Sequence, residues 1–169
     1  RLQFLNEDQK LWFERMRDRG WFAPSWPREY GGGGLSPREA RILDTEMARL
    51  GCRQPQYNLG VWMLGPVLVE VGTHEQKLEH LVPMMRGEQR WCQGFSEPGA
   101  GSDLAGIRTR GRIEGDELVV NGSKIWTSFA HVADWQELVL RTEEGSQRHA
   151  GLSWAICDMH APGITIRPI

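Results

Sequence analysis

The sequence predicts an α+β protein: an all-α N-terminal part, residues 1–89, followed by an antiparallel β-sheet or barrel, residues 90–169. Three observations carry that division. Before residue 90 capping residues stand ahead of apolar runs and glycines stand behind them, the punctuation of helices. After residue 90 short β-rich runs alternate with Gly-rich turns. The length of 169 residues suits one domain, or two small ones.

Each element has its own local reason. Asn6 reads as the N-cap of a first helix, with Glu7 and Asp8 in its first turn. Arg15, Arg17 and Arg19 close it and Gly20 stops it, an order of charge that complements the helix dipole. Residues 21–35 contain Pro24, Pro27 and the run Gly31–Gly34, which exclude a regular element. Ser36-Pro37-Arg38-Glu39 is a capping box with proline at the first helical position. Leu43, Met47 and Leu50 follow at helical spacing, and Gly51 ends the run. Residues 57–71 are apolar nearly all round, which predicts a segment buried on every side, broken or kinked at Gly65-Pro66. Thr73 and Gln76 form a second capping box, for a helix ending near Gly87. In the second part, Gly115-Asp116 between two β-rich runs signals a hairpin, and Asn121-Gly122 a stronger turn. Further runs at 135–142, 152–158 and 164–169 complete the expected strands.

Composition narrows the function. Lys and Arg number 20 against 22 Asp and Glu, which argues against non-specific nucleic-acid binding by a basic surface. No run of about 18 apolar residues exists to span a membrane. Cys52, Cys92 and Cys157 are odd in number and show no C-x-x-C spacing. A disulfide framework and a zinc site are therefore disfavoured, and a reduced compartment is expected. The five histidines form no ligand-spaced cluster, so no metal is expected. No signal-peptide pattern is read in these residues, and the chain starts at Arg1 rather than Met.

Three stretches could carry chemistry. Gly31–Gly34 precede a helix, as a phosphate cradle would, but no β-run precedes them and no Gly-Lys-Ser/Thr follows; a plain surface loop is the expected reading. The stretch from Trp91 to Gly106 fails G-x-G-x-x-G at Leu104, which disfavours a nicotinamide site. It reads either as a turn-rich loop or as a ligand loop, in which Ser96, Ser102 and the open backbone at Gly99 and Gly101 would donate hydrogen bonds. In the stretch 121–131, Trp126 is followed by Thr127 and Ser128. That suits a flat aromatic cofactor, or simply a core tryptophan in a strand, one of eight in the chain.

Together these stretches resemble the acyl-CoA dehydrogenase family. G-F-S-E-P-G-A-G-S-D-L-A-G at 94–106 is similar to its signature loop, and V-N-G-S-K-I-W-T-S at 120–128 to its second flavin-contacting segment. W-P-R-E-Y-G-G-G-G at 26–34, G-T-H-E-Q-K at 72–77 and L-V-P at 81–83 also match, so the resemblance covers nearly the whole chain. Phe95 departs from the signature, which usually carries a smaller aliphatic residue there. The resemblance implies a helical N-terminal domain and most of a middle β-domain, incomplete at its C-terminal end, with none of the family's C-terminal helical bundle. It implies FAD as cofactor. Phe95 and Ser96 would lie along the pyrimidine side, Gly101 and Ser102 would approach the pyrophosphate or ribityl chain, and Trp126 would pack on the ring. Ser128 would place a hydroxyl near N5, with Thr127 beside it, and Gln93 holds another contact position. Glu97 and Asp103 read as carboxylates that hold the loop through backbone N–H groups. The expected reaction is α,β-dehydrogenation of an acyl-CoA thioester in lipid catabolism of the β-oxidation type. Electrons would pass to an electron-transfer flavoprotein-type acceptor. The expected base is a glutamate in the C-terminal domain, so no catalytic residue is assigned within residues 1–169. A homo- or hetero-oligomer is implied, cytoplasmic, or in the mitochondrial matrix for a eukaryotic source. The same scaffold would also suit an acyl-CoA oxidase, a flavin monooxygenase or a non-catalytic subunit of a heteromer.

Overall fold

The computed structural model describes residues 4–55 and 58–169. It forms two compact units, Arg1–Arg90 and Trp91–Ile169. Helices make up the first and a five-stranded sheet the second, the predicted α+β order.

In the helical unit the capping chemistry is as the sequence reads. Helix α1, Glu7–Asp18, is capped by Asn6, whose side chain accepts from the Gln9 amide at 2.8 Å, and it buries Phe13 and Met16. Helix α2, Pro37–Arg49, opens on the full Ser36–Glu39 capping box. Of its apolar stripe, Leu43 and Met47 are half-buried and Leu50 is exposed. Helix α4, His74–Met85, opens on the Thr73–Gln76 box and buries Leu81, Met84 and Met85. Pro83 stands inside α4 and has no N–H for the Glu79 carbonyl; the Gln89 side-chain amide donates to that oxygen instead, at 3.3 Å.

Two expectations change here. Gly31–Gly34 are not a plain surface loop, because Gly32 and Gly33 are buried. A Cβ on Gly20, which sits at φ +67°, would overlap the Gly32–Gly33 backbone, and one on Gly32 would overlap Trp26. The glycines allow backbone to pack on backbone. Their four amides donate to the carbonyls of Arg28, Pro27, Ala23 and Trp26, so none is left for a phosphate. The apolar stretch 57–71 is not buried on every side, and it does not break at Gly65-Pro66. Residue 57 lies outside the described residues. Gly60–Leu64 form a π turn that runs straight into helix α3, Gly65–Val71. The turn ends with the Gly65 amide donating to the Gly60 carbonyl five residues back, just ahead of Pro66, which has no N–H to give. Val61, Leu64 and Leu68 are buried within this unit, while Trp62, Met63, Val67 and Val71 are exposed.

The sheet runs β1 (Trp91–Gly94), β4 (Trp135–Arg141), β2 (Arg110–Glu114), β3 (Glu117–Asn121), with β5 (Leu152–Asp158) also paired to β4. It is mixed, where an antiparallel sheet was expected. β2–β3 and β4–β5 are antiparallel, whereas β1–β4 and β2–β4 are parallel. Gln93 and Glu137 are register partners across β1 and β4, more than a dozen residues apart, which leaves room for a parallel crossover. Gly115-Asp116 makes the predicted hairpin, with Glu114 opposite Glu117. Asn121-Gly122 makes no hairpin: β3 ends there, and Gly122 is needed because a Cβ would overlap Thr109. Residues 164–169 form no strand. Strand β4 is the hub, buried from Gln136 to Leu140, and the Trp91 and Trp135 rings stack at 5.9 Å at its start.

Gly20→Ala tests the backbone contact. It combines a positive φ with an overlap and should destabilise the chain by about 1–3 kcal/mol in chemical denaturation. Gly115→Ala, where a Cβ meets open space, should cost less. Equal losses would refute the packing role of the glycine run.

Candidate functional site

The signature loop and the tryptophan segment are joined by one buried ion pair. Lys124 Nζ stands 2.9 Å from Glu97 Oε1, with side-chain exposures of 8% and 7%. The same ammonium donates to the Phe95 carbonyl at 3.0 Å. The Arg108 and Thr109 amides donate to the two Glu97 oxygens at 2.6 and 2.9 Å. Alongside, the Ile125 amide donates to the Ser96 carbonyl at 2.9 Å. Burial raises the Glu97 pKa, but the donors of Thr109, Arg108 and Lys124 outweigh it and hold the carboxyl at about 2. Burial lowers Lys124, with Glu97 opposing. Glu97 thus holds the loop through backbone amides, as read. Asp103 is exposed and its side chain makes no cap bond; its carbonyl accepts from the Gly106 amide instead. The partner missed in the sequence is Lys124. Its signal was one basic residue just ahead of the apolar Ile125-Trp126 pair, with an acid in the other motif.

The predicted site residues fall around this tie. Trp126 is not a core tryptophan in a strand: it is 72% exposed and sits at φ +59°, a region that bulky side chains rarely adopt. Phe129, three residues on, is also exposed and sits at φ +67°. Between them the Ser128 amide donates back to the Trp126 carbonyl at 2.9 Å, and the Ser128 side chain is exposed. The Thr127 hydroxyl oxygen is buried and has no hydrogen-bond partner among the described residues. Two left-handed residues around an unpaired hydroxyl mark a segment whose shape its surroundings impose.

In the signature loop Ser96 is half-buried, and Gly101 and Ser102 are exposed. A Cβ on Gly99 or Gly101 would meet nothing within 4 Å, so this backbone is open to approach. The loop closes through Arg141, which donates to the Ala105 carbonyl at 2.9 Å and the Arg148 carbonyl at 3.1 Å. Phe95 turns its ring into the cluster of Ala100, Ile107 and Val139. The larger side chain at this signature position is thus taken up by the sheet core. Gln93 lies one strand position before Gly94, and its amide donates to Glu137 at 3.1 Å. Neither Glu137 nor Phe129 was picked out from the sequence. Cys92 is no nucleophile: burial pushes its thiol up to about 11. Among the described residues no three metal-ligating side chains cluster, and no helix is long and apolar enough to cross a membrane.

The ion pair sets an acid limb for stability. The folded Glu97 carboxyl lies below the usual carboxylate range, so its contribution is complete above about pH 4.5 and is lost as pH falls toward 2. Lys124→Met strips the charge partner from a buried carboxylate and should cost about 3–5 kcal/mol at neutral pH. The acid limb should also move to higher pH. Denaturation midpoints recorded against pH check both, and an unmoved limb would refute the coupling.

Comparison with known proteins agrees with this arrangement. The acyl-CoA dehydrogenase N-terminal domain matches residues 4–88, and the middle domain of the same family matches residues 92–169. The chain is 42% identical over 163 residues to acyl-CoA dehydrogenase IpdE1 of Mycobacterium tuberculosis, covering 96% of this chain and 42% of the relative. It is 46% identical over 156 residues to acyl-CoA dehydrogenase FadE34 of the same organism, covering 91% of this chain and 21% of the relative. Among solved structures, the Tcur3481-Tcur3483 steroid ACAD superposes with a TM-score of 0.78 at 38% identity, over 97% of this chain and 42% of that one. The ChsE4-ChsE5 complex from Mycobacterium tuberculosis superposes with a TM-score of 0.74 at 39% identity, over 94% and 40%. The chain therefore spans less than half the length of these relatives. With both domain matches in order, and the two motif stretches tied by Glu97 and Lys124, the chain belongs to the acyl-CoA dehydrogenase family.

Proposed function

We propose that the chain is the N-terminal and middle part of an FAD-dependent acyl-CoA dehydrogenase, which introduces an α,β double bond into an acyl-CoA thioester. The observation that carries this reading is the exposed Trp126 indole, held in a left-handed conformation directly after the Lys124–Glu97 tie to the signature loop. An unburied aromatic face, two serine hydroxyls, an unpaired threonine hydroxyl and an open glycine backbone form a donor set that fits a flat, polar-edged cofactor with a diphosphate tail.

In this reading Trp126 stacks on the flavin ring, and Ser96, Thr127 and Ser128 supply hydroxyls to its polar edge. Phe95, its ring in the sheet core, would meet the same side through its backbone and Gln93 through its side chain, while Gly101 and Ser102 would approach the diphosphate or ribityl chain. FAD, when bound, supplies the two-electron acceptor. The chain's own work is to orient the ring and to place donors where negative charge grows during the reaction. The α-proton is taken by a glutamate that we assign to the part of the relatives' length this chain does not span. An electron-transfer flavoprotein-type protein would be the partner that accepts the electrons. The names of the steroid ACAD and of the two-component complexes favour a steroid-derived or other bulky acyl-CoA as substrate. They also favour a second reading of this chain as one subunit of a heteromer. A cytoplasmic setting accords with the bacterial relatives.

Residues 1–169 expressed alone should show no substrate-dependent bleaching of added FAD with an acyl-CoA series. Loss of a positioned base alone removes a factor of about 10² to 10⁴ in rate. Bleaching would place the base within this chain. In the FAD-loaded protein Trp126→Ala should weaken FAD retention roughly 2- to 10-fold, from an aromatic contact of about 0.5–1.5 kcal/mol. Ser96→Ala should lower the flavin's reduction potential more than Ser128→Ala. Unchanged FAD affinity in the folded Trp126 variant would remove the central contact of this reading.

A further inference from the structure

Glu137 is a buried carboxylate that the proposed reaction does not use. It is the third residue of β4, 4% exposed, with Gln93 of β1 and Ile156 of β5 as its register partners. Its Oε1 accepts from Gln93 Nε2 at 3.1 Å and its Oε2 from the Trp154 indole N–H at 3.2 Å. Among the described residues no cation pairs with it. Burial raises its pKa, and the Trp154 and Gln93 donors pull the other way. An indole nitrogen can only donate and an ionised carboxylate can only accept. The donor set around Glu137 therefore fits the carboxylate form.

That chemistry fixes the Gln93 amide. With Nε2 given to the carboxylate, Gln93 Oε1 is the amide atom left over, and among the described residues no hydrogen bond reaches it. Gln93 itself is half-buried, two residues before Phe95 and three before Ser96. An amide left to itself presents donor or acceptor equally well by flipping, but this one is held in one sense by the group behind it.

The geometry points to Glu137 as a positioning residue: it locks the Gln93 side chain so that the site at the end of β1 offers a carbonyl oxygen, and takes a ligand N–H or O–H donor rather than an acceptor. That the ligand is FAD rests on the function proposed above. A site built to pair a donor discriminates strongly against a ligand lacking one, because its oxygen is then left unpaired.

The test is a double-mutant cycle in the FAD-loaded protein, with Glu137→Gln, Gln93→Met and the pair combined, read as the dissociation constant for FAD. The side-chain amide resonances of Gln93 are recorded with and without FAD. Each single change should raise the constant about 3- to 10-fold, and the double change should add little further. One Gln93 amide proton should be protected from exchange in the wild type, and that protection should be lost in Glu137→Gln. Additive losses, or a Gln93 amide indifferent to Glu137→Gln, overturn the proposal. If Glu137→Gln does not fold, an unprotected Gln93 amide in the wild type overturns it equally. A wild type that takes up no FAD removes the cofactor reading, and the amide resonances alone then decide whether the lock exists.

Discussion

The second unit depends on one pair of charges taken out of water together. Glu97 and Lys124 would each be costly to bury alone, and their attraction offsets that cost only because the remaining valences are used. Two backbone amides fill the other Glu97 positions, and the Phe95 carbonyl takes a Lys124 proton. The benefit of such a pair is less in net stability than in register. It fixes three stretches of chain at one point: the signature loop, the entry to β2 and the segment after β3. The Ser96–Ile125 backbone bond, the exposure of Trp126 and the left-handed turn behind it all follow from where this knot is tied.

What the sequence disclosed was what chemistry writes locally. Caps at Asn6, Ser36 and Thr73 stand as read, since a cap needs only residues within one turn of each other. The Gly115-Asp116 hairpin is equally local. The parallel pairing of β1 with β4 was hidden because no local pattern records which distant strand becomes a neighbour. Gly122 and the run Gly31–Gly34 misled for a related reason. A glycine looks the same whether it serves a turn or a close approach, and only the tertiary neighbour (Thr109 in one case, Gly20 and Trp26 in the other) tells the two apart. The candidate site residues were proposed from two long motifs. Lys124 and Glu137 escaped because the burial of a charge becomes visible only with the partner it meets in the fold, and for Lys124 the acid stands in a distant motif.

The π turn at Gly60–Leu64 has a consequence for how this chain lines up with others. A π turn is an α-helix that has gained one residue without losing its axis. Everything after it is rotated by about 100° relative to an uninterrupted helix, since each residue advances the spiral by that angle. In this chain Leu64 and Leu68 are buried across the turn, while Trp62 and Met63 are exposed. A related chain that ran a plain α-helix through this segment would match it residue for residue only with a one-position gap between Gly60 and Leu64. The faces beyond the gap would then coincide again.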